Sequence, residues 1–335
     1  MKSRKKPSYS ENRQSLGKIL PIDTPLSLVI DISEVCNFKC NYCFRANDDR
    51  EYWGYAKKNN LMSWDVFIKI IEQIKSFPNE IKSISLSNHG EPLCNNLIVK
   101  MIRYIKENNI NSNLSIHTNA SLLTFDLALE LAQSKIDKIV ISIQGVNKEK
   151  YERVCDYKID FEQFVSNIKI LYENKSKNIK LNIKTVDDAL DSKAEELEFY
   201  NIFGPICDNI YIEKVVPIWK SSDFKIENNA VNKYGQIYEL QDCCGLTFYT
   251  LVVSPDGTIY PCTQLLLPYS LGNIKDITLK DAWEGRVRKE WLIKQLSDVR
   301  PEICVNCYIK QNAIFSKLDM IDNYRLEIQK RLIEK

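Results

Sequence analysis

Six short segments rich in apolar and β-branched residues recur along the first two thirds of the chain. They are SLVIDIS (27–33), IKSISLSN (81–88), NLSIHTN (113–119), KIVISIQG (138–145), IKLNIKTV (179–186) and NIYIEKVVP (209–217). Most are nearly continuous in apolar residues, which is typical of strands that are covered on both faces. The pattern therefore predicts six strands of a buried, parallel sheet.

Helical patterns separate these strands. SWDVFIKIIEQIKSF begins at a predicted N-cap, Ser63, and DFEQFVSNIKILYEN begins at Asp160 with Gln163 three residues later. NNLIVKMIRYIKENN and TFDLALELAQS also keep their apolar residues on one helical face. Alternation of strand and helix predicts parallel strands joined by right-handed crossovers. The predicted fold class is α/β, a partial (β/α)6 barrel of the TIM type.

The pattern changes near residue 220. LTFYTLVVS and TIYPC flank the turn Pro255–Gly257 and predict a β-hairpin, and TLKDAWEGRVRKEWLIKQL predicts one helix that begins at Thr278. We therefore expect a flexible tail at 1–24, a barrel at 25–222 and a small C-terminal domain at 223–335.

Charge and composition exclude several classes of protein. The chain has 335 residues and a formal net charge of +2, which gives no reason to expect nucleic acid or an acidic membrane as a partner. No apolar region follows the basic start MKSRKKPSYS, and no apolar run approaches the roughly 20 residues that span a bilayer. We expect a cytoplasmic protein. Its eleven cysteines then favour metal or redox chemistry over disulfides.

Three cysteines, Cys36, Cys40 and Cys43, follow the first predicted strand at spacings of four and three, with Tyr42 before the third. Three thiolates leave one iron of a 4Fe–4S cluster without a protein ligand. This C-x3-C-x2-C pattern resembles that of the radical S-adenosylmethionine (SAM) superfamily. The alternative is a zinc site or a set of reactive cysteines, although zinc usually needs further cysteines or histidines.

The resemblance implies that SAM binds the open iron and is cleaved to a 5′-deoxyadenosyl radical. NHGEP resembles the family's segment that binds the SAM amino group, with Gly90 and Glu91 retained. SIQGVNKEKYERV resembles the segment in which Ser142 and Arg153 contact the SAM carboxylate or ribose. GEP is otherwise a common turn, and Ser142 could equally be a cap.

Four further polar residues fall at predicted strand ends. Asn119 and Lys184 point toward the same face of the barrel, where either could instead be a polar residue that closes it. His89 stands in place of a family glycine, and His117 ends the third strand. We expect both histidines to be hydrogen-bonding wall residues and assign them no catalytic role.

A second cysteine group lies in the C-terminal domain, at Cys244, Cys262, Cys304 and Cys307. It resembles the auxiliary-cluster domain of the SPASM and twitch type, which implies one auxiliary 4Fe–4S cluster with four protein ligands. Cys244 is preferred to Cys243 because its 17-residue separation from Cys262 resembles that in 2-deoxy-scyllo-inosamine dehydrogenases. A zinc ribbon with four cysteines is the alternative.

The remaining cysteines, Cys94, Cys155 and Cys207, have no partner at ligand spacing, and we expect small buried residues there. Cys94 follows GEPL closely and could line the site.

The resemblance identifies the radical-generating parts better than the substrate. A closed auxiliary cluster suits an electron acceptor, so we expect oxidation of a sugar or cyclitol alcohol to a ketone. A low-potential donor such as flavodoxin or ferredoxin would then supply the first electron. A peptide-modifying enzyme, a redox-neutral sugar epimerase with a cysteine as hydrogen donor, and a non-catalytic iron–sulfur or zinc protein remain alternatives.

Overall fold

The computed structural model describes residues 3–5, 7, 12–216, 218 and 231–335. Nine strands within these residues form one sheet in the order β6-β5-β4-β3-β2-β1-β7-β8-β9. All neighbours from β6 to β7 pair in parallel, and β8 and β9 extend the sheet in antiparallel fashion. The six predicted parallel strands are confirmed. The strand bounds are β1 Ser27–Ile30, β2 Ser83–Ser85, β3 Asn113–Thr118, β4 Lys138–Ser142, β5 Lys180–Val186, β6 Asn209–Glu213, β7 Thr250–Val253, β8 Thr258–Tyr260 and β9 Gly272–Asn273.

Helices connect the parallel strands and cover the outside of the sheet. The predicted caps form: Ser63 accepts a hydrogen bond from the Val66 N–H, and Asp160 accepts one from the Gln163 N–H. No helix in the described part of the chain is long and apolar enough to cross a bilayer. The helix bounds are α1 Leu16–Ile19, α2 Trp64–Ile74, α3 Ile98–Glu107, α4 Phe125–Gln133, α5 Lys148–Cys155, α6 Phe161–Asn174, α7 Lys193–Phe203, α8 Leu246–Tyr249, α9 Leu279–Glu284, α10 Arg286–Leu296, α11 Glu302–Val305, α12 Ile309–Asn312 and α13 Arg325–Glu334.

The two faces of the parallel sheet differ in polarity. The outer face is apolar and packs under the helices, as Ile84, Ile116 and Ile183 illustrate. The inner face carries polar side chains at the alternate positions, such as Ser85 and Lys184, which line a cavity. The prediction of strands covered on both faces therefore holds for the outer face of β2 to β5 and is wrong for the inner face, which borders a cavity.

The C-terminal part contains the predicted hairpin and a broken helix. β7 and β8 pair on either side of the predicted turn, where Gly257 has a φ of +87° and its N–H donates to the Ser254 carbonyl. The single helix predicted from Thr278 is two helices, α9 and α10, because the backbone of Gly285 is extended at ψ 157°. The predicted domain boundary at 222/223 lies outside the described residues.

The segment before β1 is packed against the C-terminal part. Leu16 and Leu20 are buried in an apolar cluster with Trp291 and Ile328. The guanidinium of Arg331 donates to backbone carbonyls of α1 and of the residue that follows it, at 2.5–3.0 Å. The prediction of a flexible tail is therefore wrong for the described residues 12–24, because their apolar side chains have partners far away in the sequence.

Candidate active site

A cavity of about 590 Å³ opens at the carboxyl ends of the parallel strands. This is where barrels of parallel strands place their chemistry, on the loops that follow the strands. The cavity is lined by residues that follow β1, β2 and β3, by residues at the ends of β4 and β5, and by two residues of the C-terminal part. Predicted site residues among them are Cys36, Cys40, Tyr42, Cys43, His89, Gly90, Glu91, His117, Asn119, Ser142 and Lys184.

The loop of the first cysteine group follows β1 and is held by the end of α5. The N–H of Lys39 donates to the Cys155 carbonyl and that of Asn41 to the Val154 carbonyl, each at 2.9 Å. The thiol of Cys40 lies against the thiol of Cys155, which is fully buried. Cys155 is thus a small buried residue as expected, and it also contacts a predicted cluster ligand.

A buried cation lies beside these thiols. Arg45 is 4% exposed, donates to the backbone carbonyls of His89 and Glu34, and packs on the ring of Trp53. Burial raises the pKa of Cys36 and of Cys43 to about 12, and the Arg45 charge opposes that shift in both. Three desolvated thiols beside a fixed positive charge fit a cluster that binds them as thiolates, because the cation offsets the cost of their charge.

The NHGEP loop lies directly against this cysteine loop. A Cβ at Gly90 would lie 2.1 Å from the Ser33 carbonyl oxygen and 2.5 Å from that of Val35, so only glycine fits. The carboxylate of Glu91 is buried, and it accepts hydrogen bonds from the Asn119 N–H at 2.7 Å and the Leu93 N–H at 3.0 Å. Burial raises the pKa of Glu91 to about 7 despite these donors. A carboxylate in this setting would gain from a cationic ligand.

Two other predicted SAM contacts lie on the cavity wall, and one lies elsewhere. The Tyr42 hydroxyl hydrogen-bonds to the side-chain oxygen of Gln144, and Ser142 lines the cavity beside them. Arg153 does not reach the cavity. Its side chain is 58% exposed on α5 and forms an ion pair with Asp191 at 2.7 Å, because α5 turns this residue outward. The structure therefore corrects the prediction for Arg153.

The histidines are wall residues, and they differ in their surroundings. His89 is buried between the Asp31 carboxylate, at 3.2 Å from Nδ1, and the Thr263 carbonyl, at 2.9 Å from Nε2. His117 faces the cavity and is exposed to it, although protein surrounds that cavity. Burial lowers the pKa of His117 to about 3, with help from the nearby charges of Lys184 and Lys233, so its ring is neutral at pH 7.

Three charged side chains, from β5, from the end of β6 and from the segment after β6, form an ion cluster at the cavity. Lys184 Nζ lies 2.5 Å from one carboxylate oxygen of Glu213, and Lys233 Nζ lies 2.9 Å from the other. Lys184 and Lys233 both line the cavity. Sequence reasoning missed Lys233 because it falls in a polar stretch that predicted only a loop, and it missed Glu213 because a single acidic residue in a strand gives no signal.

The second cysteine group assembles from three segments of the C-terminal part. Burial raises the pKa of Cys244 to about 12 and holds that of Cys262 well above its ordinary value, and the thiols of Cys304 and Cys307 contribute to both shifts. Cys243 points elsewhere, into the apolar cluster that contains Trp291.

Amide groups donate toward the sulfurs of this second group. The Gln264 N–H donates to Cys262 Sγ at 3.4 Å, and its side-chain amide donates to Cys307 Sγ at 3.5 Å. The side-chain amide of Gln295 donates to Cys304 Sγ at 3.4 Å. Such donors stabilise thiolates and fit an iron–sulfur cluster. Within the described residues, no three histidine, cysteine or acidic side chains are grouped so as to hold a single metal ion.

The other cysteines match their expected settings in part. Cys207 is fully buried, whereas Cys94 is half-buried near Cys36 and Glu91 and is not among the residues that line the cavity.

Comparison with known proteins gives two family matches. Residues 30–198 match the radical SAM superfamily, and residues 243–308 match the iron–sulfur cluster-binding domain called SPASM. An uncharacterized protein of Methanocaldococcus jannaschii is 30% identical over 297 residues, which cover 82% of this chain and 98% of that protein. The tungsten-containing aldehyde ferredoxin oxidoreductase cofactor-modifying protein of Pyrococcus furiosus is 23% identical. The match covers 88% of this chain and 90% of that protein.

Solved structures share the fold at low identity. Streptococcus suis SuiB bound to its precursor peptide SuiA superposes with a TM-score of 0.62 at 18% identity, over 92% of this chain and 72% of that one. The enzyme anSMEcpe with bound AdoMet gives a TM-score of 0.60 at 18% identity, over 92% and 96% of the two chains. The two family matches contain the two cysteine groups. The chain therefore belongs to the radical SAM superfamily, and its cofactors are a 4Fe–4S cluster, SAM and auxiliary iron–sulfur binding of the SPASM type.

Proposed function

We propose that this enzyme cleaves SAM reductively and oxidises an alcohol of a small polar substrate, such as a sugar or cyclitol, to a ketone. The observation that carries the proposal is the position of Thr263. This residue directly follows Cys262 in the second cysteine group, and it lines the same cavity as Cys36, Cys40 and Cys43. A substrate in the cavity would therefore touch the loops of both cysteine groups.

The first cysteine group would hold the SAM-binding cluster, and the NHGEP loop would surround SAM. Gly90 lets the NHGEP loop pack directly against the backbone at Ser33 and Val35, and the buried carboxylate of Glu91 offers an acceptor for an ammonium group. Tyr42 and Ser142 would complete this wall.

The second cysteine group, Cys244, Cys262, Cys304 and Cys307, would hold one auxiliary cluster with all four ligands supplied by the chain. When bound, the first cluster and SAM supply a radical that removes a hydrogen atom from the carbinol carbon, and the auxiliary cluster supplies an acceptor for the electron released as the carbonyl forms. Gln264 and Gln295 donate hydrogen bonds to the sulfurs and would thereby stabilise the thiolates that hold the cluster. The hydroxyl proton leaves to solvent within the polar cavity.

The test replaces Cys262 by alanine in anaerobically reconstituted protein and supplies sugars and cyclitols as substrates. We expect 5′-deoxyadenosine to form while the ketone is lost, because the first cysteine group is intact. Cys207→Ala is the control, since that cysteine is also buried but lies apart from both groups. Ketone formation by Cys262→Ala at the rate of the unaltered protein would overturn the proposal and favour a redox-neutral reaction.

Peptide modification is the second candidate. It is supported by the shared fold with SuiB, whose structure contains a precursor peptide, and by 25% identity to a cysteine-type anaerobic sulfatase-maturating enzyme of Clostridium perfringens. Mass change in a peptide encoded beside this protein's gene, with no turnover of sugars or cyclitols, would favour this candidate.

A further inference from the structure

Among the described residues, the inner face of the barrel carries more positive than negative side chains on the side of β5 and β6. Lys184 and Lys233 share the single carboxylate of Glu213, at 2.5 and 2.9 Å. The side chain of Glu213 is only 5% exposed, whereas those of Lys184 and Lys233 are 18% and 23% exposed, and both lysines line the cavity. Both ammonium groups thus remain accessible from inside the cavity.

The groups on the neighbouring strands do not cancel this charge. The charged side chains that act most on His117 of β3 are Lys138 of β4, Lys184 of β5, Glu213 of β6 and Lys233, which follows β6 in the chain, so three lysines face one glutamate. His117 itself is neutral at pH 7. Of these four charged side chains among the described residues, Glu213 alone is negative.

An ion pair formed only to stabilise the barrel would not need this arrangement. One lysine is enough to pair with Glu213, and a second partly buried ammonium adds a desolvation cost that one carboxylate does not offset. The cost falls if an anion enters the cavity, because each lysine can then donate a charge-assisted hydrogen bond to it. The geometry of Lys184 and Lys233, both on the wall and both held in place by Glu213, is that of a preorganised anion site.

We propose that Lys184 and Lys233 bind an anionic group of the substrate, a carboxylate or a phosphate, with the His117 ring on the same wall as an additional hydrogen-bonding partner. This inference rests on the proposed function, because it assumes that the substrate binds in the same cavity. It narrows the substrate class from a polar alcohol to an alcohol that also carries an acidic group.

The test measures binding, not turnover, on the anaerobically reconstituted full chain with SAM present. Isothermal titration at low ionic strength compares myo-inositol 1-phosphate with myo-inositol, and glucuronate with glucose. We expect at least one anionic probe to bind tenfold or more tightly than its neutral counterpart. The phosphate and carboxylate arms identify which acidic group fits. Equal binding within both pairs would overturn the proposal.

Three variants separate this role from a structural one. Lys233→Met should weaken the preferred anion at least tenfold, and Lys148→Met, at a side chain that is 71% exposed, should leave it unchanged. Glu213→Gln removes the competing negative charge but keeps a side-chain oxygen that can accept from a lysine, so it should bind the anion at least as tightly as the unaltered chain does. If Lys233→Met instead weakens SAM binding and spares the probe, the lysines serve SAM and the proposal fails.

The outcome is independent of the oxidation test. If Lys233→Met weakens anion binding while Cys262→Ala still forms ketone, the anion site is supported and the oxidation proposal fails. If Cys262→Ala loses ketone formation while neutral and anionic probes bind equally, the oxidation proposal is supported and the anion site fails.

Discussion

Replacing Cys244 by alanine should remove the iron of one cluster, while replacing its neighbour Cys243 should remove none. The thiol of Cys244 lies with those of Cys262, Cys304 and Cys307. Cys243 is 2% exposed and packs among apolar side chains. Cys243 and Cys244 are adjacent in the chain but point in different directions. Comparing the two variants therefore tests which of the two cysteines is a cluster ligand.

The expected magnitude follows from the iron content of each cluster. Each 4Fe–4S cluster contains four iron atoms, so the unaltered chain with two clusters should contain about eight, and Cys244→Ala, which lacks one ligand of the auxiliary cluster, about four. Cys243→Ala should keep about eight. It should lower the free energy of unfolding by about 1 kcal/mol, since a single buried atom is deleted from an apolar cluster.

Iron and acid-labile sulfide are measured after anaerobic reconstitution, together with the electron paramagnetic resonance signals of the reduced protein. The unfolding free energy of both variants is measured by denaturant titration of the cluster-free chain. Retention of all the iron in both variants would show that the tandem cysteines are interchangeable and would contradict the prediction for Cys244. Loss in Cys243→Ala alone would refute the assignment of Cys244.

Two further predictions concern the first cysteine group and its neighbouring carboxylate. Replacing all three of its cysteines by alanine should abolish 5′-deoxyadenosine formation and leave about half the iron, and retained cleavage in an anaerobic assay would contradict the assignment. Because burial raises the pKa of Glu91 from 4.5 to about 7, its contribution to the unfolding free energy of the cluster-free chain is greatest below pH 4.5 and falls by roughly 3 kcal/mol as the pH rises through 7. Glu91→Gln should lack that dependence in urea titrations at several pH values, and a parallel pH profile in the two proteins would show that Glu91 titrates normally.

The pattern of apolar and polar residues within each segment was enough to predict the strands and their parallel direction, and the spacing of the cysteines was enough to predict the two cysteine groups. The inner face of the barrel was misjudged because serines and single lysines in SISLS and LNIKT did not outweigh their apolar neighbours. Whether such residues face a helix or a cavity depends on what covers the strand, which the segment itself does not encode.

The remaining errors involve orientation and distant partners. Arg153 and Lys150 are one turn apart on α5, yet Lys150 is buried and Arg153 points to solvent. Only the packing of the helix decides which of them faces inward. Leu16 and Leu20 gave a weak, short pattern, and their partner Trp291 lies more than 270 residues further along the chain.

The parallel pairing of β1 with β7 limits how the enzyme can be recombined. Ser27 pairs with Thr250 and Ile30 with Val253, so the strand that leads to the first cysteine loop is hydrogen-bonded to the strand that begins the hairpin of Cys262. Side chains alternate along a strand, and a slip of one residue would turn Leu251 and Val253 from the apolar face to the inner face. A chimera that grafts another protein's C-terminal domain onto this barrel should therefore join the chains within the sheet and preserve this register. A graft that changes this register would mispair β1 and β7 even if every cysteine were kept.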